Sequence, residues 1–324
     1  MSICLLNPGI ENHKGFPSSN LGDLIIEEAV SRELSEIFTS KNIFKLSTQK
    51  YLRANQISLI RESNLTLVGG TNLLSSNMHL YRQWKLSPLD IYRVKNVILF
   101  GVGWWQYQNL PNFYTRFLLK SVLSHQYFHS VRDSYTEKQL KFAGFRNVLN
   151  TGCPTMWPLA DLKQKELSVS KAPNVLLMLT DYSKQPSIDS QLIELLFEKY
   201  ETVFVWPQGR QDLEYIRSFN KPFKILEHSF NSLNQFLSSG VNFDYIGTRL
   251  HGGIKCLLAR KRSLILEIDN RAKEIARDTN LPTAERDDFT YVGAWIEKPF
   301  YLDIKLKTDN ITRWKKQFNA INVS

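Results

Sequence analysis

The sequence predicts an α/β protein built from two doubly wound domains, and three observations carry that expectation. Short runs that are apolar throughout alternate with helix-length amphipathic segments from one end of the chain to the other. The runs fall into two groups of five, and a stretch bearing prolines and no long apolar period separates the groups. Strands covered on both faces read as continuous apolar runs, as parallel sheets require, and regular alternation of strand with helix is the pattern of layered α/β folds.

In chain order, strands are expected at 2–6 (SICLL), 65–68 (LTLV), 96–101 (NVILFG), 127–131 (YFHSV) and 146–150 (RNVLN). The second group is 174–179 (NVLLML), 202–206 (TVFVW), 223–226 (FKIL), 243–247 (FDYIG) and 263–268 (SLILEI). Each run is bounded by glycine, proline or polar residues. The stretch TGCPTMWPLADLKQKELSVSKAPN places a domain boundary near 160–172, giving domains over 1–165 and 166–324 that read as two versions of one plan. A basic amphipathic helix is expected over 308–321, with Ile311, Trp314, Phe318 and Ile321 at spacings of three or four, and it is assigned to the second domain. In doubly wound sheets ligands bind beyond the C-terminal strand ends, and two such domains can turn those ends toward a shared cleft.

At 324 residues the chain can hold two ordinary cores. No segment approaches the roughly 20 consecutive apolar residues of a membrane span, and the N-terminus lacks a basic leader followed by an apolar core, so a cytoplasmic location is expected. Three scattered cysteines, Cys4, Cys153 and Cys256, form no CxxC pair and point to neither a disulfide framework nor structural zinc. The net charge of +10 admits nucleic acid, an anionic membrane surface or small anionic substrates as partners. Because no block of like charges appears, nucleic acid is not expected.

Chemistry is then sought in the loops after strands. SSNLGDLIIEEAV leads into a helix starting near Leu21 to Asp23, whose free N–H groups would face an anion or sugar hydroxyl. Asn20 is a binding candidate there, or merely the cap, and Asp23 a base or hydroxyl-orienting acceptor. After the next strand, Gly69 and Gly70 would let a ligand approach the backbone, with Thr71 and Asn72 offering polar groups. Gly101 and Gly103 repeat the idea before Trp104 and Trp105, which either stack on a sugar or belong to the core. Arg132 stands at a strand end before a helix capped by Asp133 or Ser134. It offers a fork to a carboxylate or phosphate, or a salt bridge to Asp133.

GTRLHGG, residues 247–253, places Arg249 and His251 in a strand-to-helix turn, with Gly252 and Gly253 removing side chains that would crowd a ligand. An anion would meet guanidinium and helix dipole together, and His251 is the candidate proton donor. Glu267, Asp269, Arg271 and Lys273 could form a polar rim. No metal is expected: the Glu-Ile-Asp triplet is not DxD, and His125 and His129 lack the HExxH pattern. The aromatic segment 104–128, with Arg116 and Lys120, reads as a helix covering a sheet or as a peripheral membrane contact.

Taken together, NLGD, a Gly-Gly loop, VRD before a helix ending at Gly144, Gly152-Cys153-Pro154, TRLHGG and IDNRAKEIARDTNLP resemble the polysaccharide pyruvyl transferase family over about residues 18–282. The resemblance implies two facing Rossmann-like domains of the GT-B-like kind. It also implies transfer of a pyruvyl group from phosphoenolpyruvate onto two hydroxyls of one sugar, as a cyclic ketal, in polysaccharide biosynthesis of the exopolysaccharide or capsule type. Phosphoenolpyruvate would be the donor substrate, no separate cofactor would be needed, and the acceptor would be a saccharide, free or lipid-linked. Its two anionic groups would be met by Arg249 and Arg132, with the second domain as the donor side. The chain departs from the family's pattern at Thr71, where a third glycine is common, and at Cys153, where the pattern has aspartate. Two other readings stay open: a nucleotide-sugar glycosyltransferase of the same shape, and a non-catalytic glycan- or nucleic-acid-binding protein.

Overall fold

The computed structural model describes residues 2–12, 14–39, 41–162 and 169–319, and the chain folds as two compact units. The first comprises Met1–Ser18, Ile26–Trp157 and Lys305–Ser324; the second comprises Ser19–Ile25 and Pro158–Ile304. The 165/166 division expected from sequence lies outside the described residues, and the chain passes from one unit to the other at Trp157/Pro158 instead. Among the described residues, no helix is long and apolar enough to cross a membrane.

The first unit opens with β1 (Ser2–Asn7), α1 (Leu21–Ile37, whose first turn groups with the second unit), β2 (Asn42–Ser47) and α2 (Ala54–Glu62). It continues through β3 (Leu65–Leu74), α3 (Asp90–Arg93), β4 (Val97–Trp104), α4 (Phe113–Val122), β5 (His129–Val131), α5 (Ser134–Phe142) and β6 (Val148–Asn150). All pairings are parallel, in the order β2-β1-β3-β4-β5-β6. Side chains alternate across a strand, which explains the unbroken apolar runs: Ile3, Leu5, Ile98 and Phe100 join the cluster of α1, whereas Cys4, Leu6, Val97 and Leu99 join that of α4.

In the second unit come β7 (Asn174–Met178), α6 (Pro186–Lys199), β8 (Thr202–Val205), α7 (Asp212–Arg217), β9 (Lys224–Ile225) and α8 (Phe230–Ser238). They are followed by β10 (Phe243–Gly247), α9 (Leu250–Leu258), β11 (Ser263–Glu267), α10 (Asn270–Thr279), β12 (Thr283–Glu285) and α11 (Phe289–Glu297). The sheet order is β12-β11-β10-β7-β8-β9. Counted from its own first strand, this is the 3-2-1-4-5-6 order of dinucleotide-binding folds, whereas the first unit runs 2-1-3-4-5-6. The halves therefore share a layered plan but differ in where the third strand goes. The direction of winding reverses between β1 and β3 in the first unit and between β7 and β10 in the second.

Two strands escape the sequence pattern, β2 and β12. Both are edge strands: only Leu46 and Ser47 of β2 are buried, and β12 has three residues. The last helix, α12 (Thr308–Lys316), is shorter than the expected 308–321 and belongs with the first unit rather than the second. Trp314 stacks on Phe100 at 4.4 Å between ring centroids, and Ile311 and Phe318 are buried beside it; Ile321 lies outside the described residues. A helix whose apolar stripe matches an uncovered sheet face docks there, whatever its place in the chain.

His129 lies in β5, not on a helix. Its Nδ1 accepts the N–H of Leu99 at 3.2 Å and its Nε2 donates to the Ser124 carbonyl at 2.8 Å, which fixes the neutral tautomer. Burial lowers its pKa from 6.5 to about 4, opposed by the Ser124 hydrogen bond. A lowered folded-state pKa gives stability that is complete above 6.5 and lost as pH falls from 6.5 toward 4, up to about 3 kcal/mol. Urea unfolding of His129→Gln across that window is expected to show a pH slope shallower by up to one proton; an unchanged slope would assign the acid sensitivity elsewhere.

Candidate functional site

In the second unit the loops after β7, β8 and β10 meet where the winding reverses, and one carboxylate organises them. Asp212, at the start of α7, accepts the N–H groups of Gln208 (3.0 Å), Gly209 (2.7 Å) and Asp181 (3.0 Å). It also takes the guanidinium of Arg249, through Nε at 3.1 Å and through Nη2. Arg249 is the N-cap position of α9, is 3% exposed, and reaches Asp181 at 3.1 Å. Tyr182 lies over its guanidinium at 5.1 Å. The expected anion clamp is thus already held by two carboxylates, and its charge fixes the loops around it.

His251 occupies the first turn of α9 and is 5% exposed. Gly252 follows it for a packing reason: a Cβ there would strike the Met178 sulfur at the end of β7. At Gly253 a Cβ would come within 2.5 Å of Ile265 and 2.7 Å of Tyr245. The glycines expected to clear space for a ligand instead let α9 press onto β7, β10 and β11.

The NLGD turn belongs to this unit too. Gln208 accepts the N–H of Leu21 through its backbone carbonyl at 3.0 Å, and its side-chain amide donates to Asn20 Oδ1 at 3.3 Å. Asn20 Oδ1 also accepts from Gly22 N at 3.2 Å, so Asn20 caps α1. A Cβ on Gly22 would lie 2.5 Å from Gln208 Nε2, and one on Gly252 would lie 3.4 Å from Gln208 Oε1. Gln208 therefore sits between the first turns of α1 and α9, and brings Asn20 and the Arg249–His251 turn into one cluster. Asp23 is half-buried in that same first turn of α1. After β11, Asp269 caps α10 and chelates Arg271, two residues on, while Glu267 accepts from Thr283 at 2.8 Å.

In the first unit, Arg132 is 1% exposed at the end of β5. Its guanidinium donates to Asn72, lies 3.5 Å from Asp133, and covers Gly103 so closely that a Cβ there would collide with it. Asp133 caps α5 by accepting from Thr136 N at 2.6 Å. Asn72 and Arg132 are brought together, whereas Arg249 and His251 lie in the other unit. Cys153 is buried with its thiol pKa pushed up by that burial, and it accepts from Thr155 at 3.0 Å.

Residues Gly69 to Asn72 are not a loop, because β3 continues to Leu74. Gly69 and Gly70 make room for α1: a Cβ on Gly70 would lie 2.5 Å from Ile26, and one on Gly69 3.1 Å from Val30. Trp104 likewise ends β4 inside the core, with Nε1 donating to Ser76 at 3.3 Å, and half-buried Trp105 packs on Tyr81. Thr71 has φ of 82°, a region that L residues, and β-branched ones above all, occupy under strain. That backbone explains why glycine suits the position.

Gln208, Asp212 and Asp181 were not foreseen. The available signal was PQGRQD directly after β8, a glycine-bearing loop ahead of an acidic helix start.

The fold and this cluster define a two-unit, Rossmann-like α/β protein whose polar residues gather beyond strand ends. The sequence profile described as polysaccharide pyruvyl transferase matches residues 20–270, so the chain belongs to that family and is a transferase acting in polysaccharide pyruvylation. Among solved structures, the S. aureus MnaA–UDP co-structure shares the fold with a TM-score of 0.55 over 100% of this chain and 98% of that one. At 8% identity that likeness speaks for the fold alone. No curated protein matches the chain.

Two substitutions check this geometry. Thr71→Gly removes the strained φ and is expected to raise the thermal midpoint, by about 1 kcal/mol of stability once glycine's entropy is subtracted. Asp212→Asn breaks a buried pair and should cost about 3–5 kcal/mol in urea unfolding; a loss below roughly 1 kcal/mol would mean the pair is not an organising contact.

Proposed function

We propose that the protein transfers the pyruvyl group of phosphoenolpyruvate to two hydroxyls of one sugar, forming a cyclic ketal and releasing inorganic phosphate. The observation that carries the reading is the convergence of the NLGD turn and the TRLHGG turn on Gln208, in a chain whose family match spans both motifs. The donor is assigned to the second unit, where the first-turn amides of α9 offer partial positive charge to an anion. Because Arg249 is shared with Asp212 and Asp181, it acts chiefly by holding that turn in place. Arg132, engaged with Asn72 and Asp133, does the same for the strand ends of the first unit.

In the proposed reaction His251 gives a proton to the methylene carbon of the enol, leaving positive charge on the central carbon. A sugar hydroxyl adds to that carbon and loses its proton, with Asp23 as the acceptor. The C–O bond to phosphate then breaks as Asp23 passes its proton to the departing phosphate, and a neighbouring hydroxyl closes the ring, its proton restoring His251. Protein dipoles fixed before the reaction would stabilise the charge that develops. The acceptor is a saccharide, in free or lipid-linked form.

His251→Ala is expected to lower turnover by at least about a hundredfold, the scale of general-acid catalysis, while the chain still unfolds in a single cooperative transition. Incubation of glycan with enzyme and phosphoenolpyruvate, read by mass spectrometry, should show the fixed increment of a pyruvyl ketal. Thermal stabilisation by phosphoenolpyruvate and none by uridine diphosphate separates this reading from nucleotide-sugar transfer. Normal turnover in the variant would remove His251 from the mechanism.

A further inference from the structure

We infer that the α3–α4 face of the first unit is a membrane-contact surface that seats on the anionic headgroups of a lipid bilayer. Thr115, Leu118, Leu119 and Val122 turn inward from α4 and are buried, as a helix covering a sheet requires. The outer side of the same helix sets aromatic rings among the cations Arg116 and Lys120. Phe113 is 76% exposed and Phe117 48%, one turn apart with their rings stacked at 6.5 Å. α3 packs beside α4, with Tyr92 exposed on it and Leu89 exposed just before it. Leu80, 67% exposed, follows His79, whose ring packs edge-on against Tyr114 of α4. Single exposed apolar residues are ordinary on a folded protein, but a set of five on adjoining elements marks a contact surface.

Charge decides what covers it. Between Glu62 and Asp133 the chain has one acidic residue, Asp90, and that side chain is buried, accepting the N–H of Ser87 at 2.7 Å. The same stretch contributes Arg82, Lys85, Arg93, Lys95, Arg116 and Lys120, all at least partly exposed. A cavity of about 460 Å³ adjoins Tyr92 and is lined by Arg61, Arg93 and Lys95 with no carboxylate, which suits a phosphate group. Aromatic rings settle at headgroup depth while neighbouring cations meet anionic lipid, so this combination matches a bilayer interface. A second copy of the chain would oppose cations to cations. A nucleic acid would leave Leu80, Leu89 and Phe113 without apolar cover.

Co-sedimentation of the full chain with vesicles tests the assignment. It is expected to pellet with vesicles of phosphatidylcholine and phosphatidylglycerol, not with phosphatidylcholine alone, and to be released as salt is raised. Phe113→Ser combined with Phe117→Ser should weaken partition more than about tenfold. Arg93→Glu combined with Lys95→Glu should weaken it by about fivefold or more per charge. Since all four side chains are exposed, the thermal midpoints should match that of the unaltered chain. The proposal is overturned if anionic vesicles fail to pellet the protein or if both double variants pellet equally well. It is also overturned if sedimentation equilibrium reveals a dimer that the phenylalanine variant converts to monomer, or if an oligonucleotide binds where vesicles do not. Partition is read without turnover, so such a failure would leave the pyruvyl-transfer reading as it stands.

Discussion

The arrangement of the loops beyond the strand ends of the second unit depends on the Asp212 carboxylate. Parallel strands end in loops whose N–H groups have no partner within the sheet, and those loops need an anchor if they are to hold a fixed shape. Asp212 supplies it by accepting from Gln208, Gly209 and Asp181 while pairing with Arg249. One side chain thereby ties together the loops after β7, β8 and β10. With those loops fixed, Gln208 is held against Asn20, and α9 begins at a set height above β7 with His251 in its first turn. The cost of burying the two charges is offset because each makes several hydrogen bonds.

Arg132 and Arg249, one in each unit, show why a cation in a loop is ambiguous until its neighbours are known. Both Arg132 and Arg249 follow strands, both precede helices, and both are buried with a carboxylate beside them. Each is better placed to hold backbone in position than to meet an incoming anion alone. Rigid backbone amides are a suitable partner for an anion, since they stabilise charge without reorganising. Glycine has a comparable double meaning here. Gly69, Gly70, Gly252 and Gly253 lie in motifs that suggest ligand contact, yet each is explained by a neighbouring side chain that a Cβ would meet, namely Val30, Ile26, Met178, and Ile265 with Tyr245.

Much of the fold was legible. Ten strand positions follow from apolar runs, and most of those strands are buried on both faces, as β1, β4 and β7 are. β2 and β12 were missed because both are partly solvated and neither carries such a run, whereas the edge strand β9 was legible from FKIL although Lys224 and Ile225 are exposed. Of the residues in the cluster around Gln208, Asn20, Arg249 and His251 were legible as candidates from their place after strands. Gln208 and Asp212 were not, because neither residue type stands out until its partners are present.

What the sequence determined by itself is local and periodic: the α/β class, two groups of strands, the helix starts, and the family to which the ordered motifs belong. What the tertiary structure alone decided is pairing over distance. Asn20 meets Gln208 across 188 residues and Asp212 meets Arg249 across 37, and α12 returns to the first unit from the far end of the chain. Burial and periodicity are properties of a segment, so a segment reveals them. The partner of a charge or an amide depends on strand order, and the difference between the two sheets in where the third strand goes is written in no single stretch of residues.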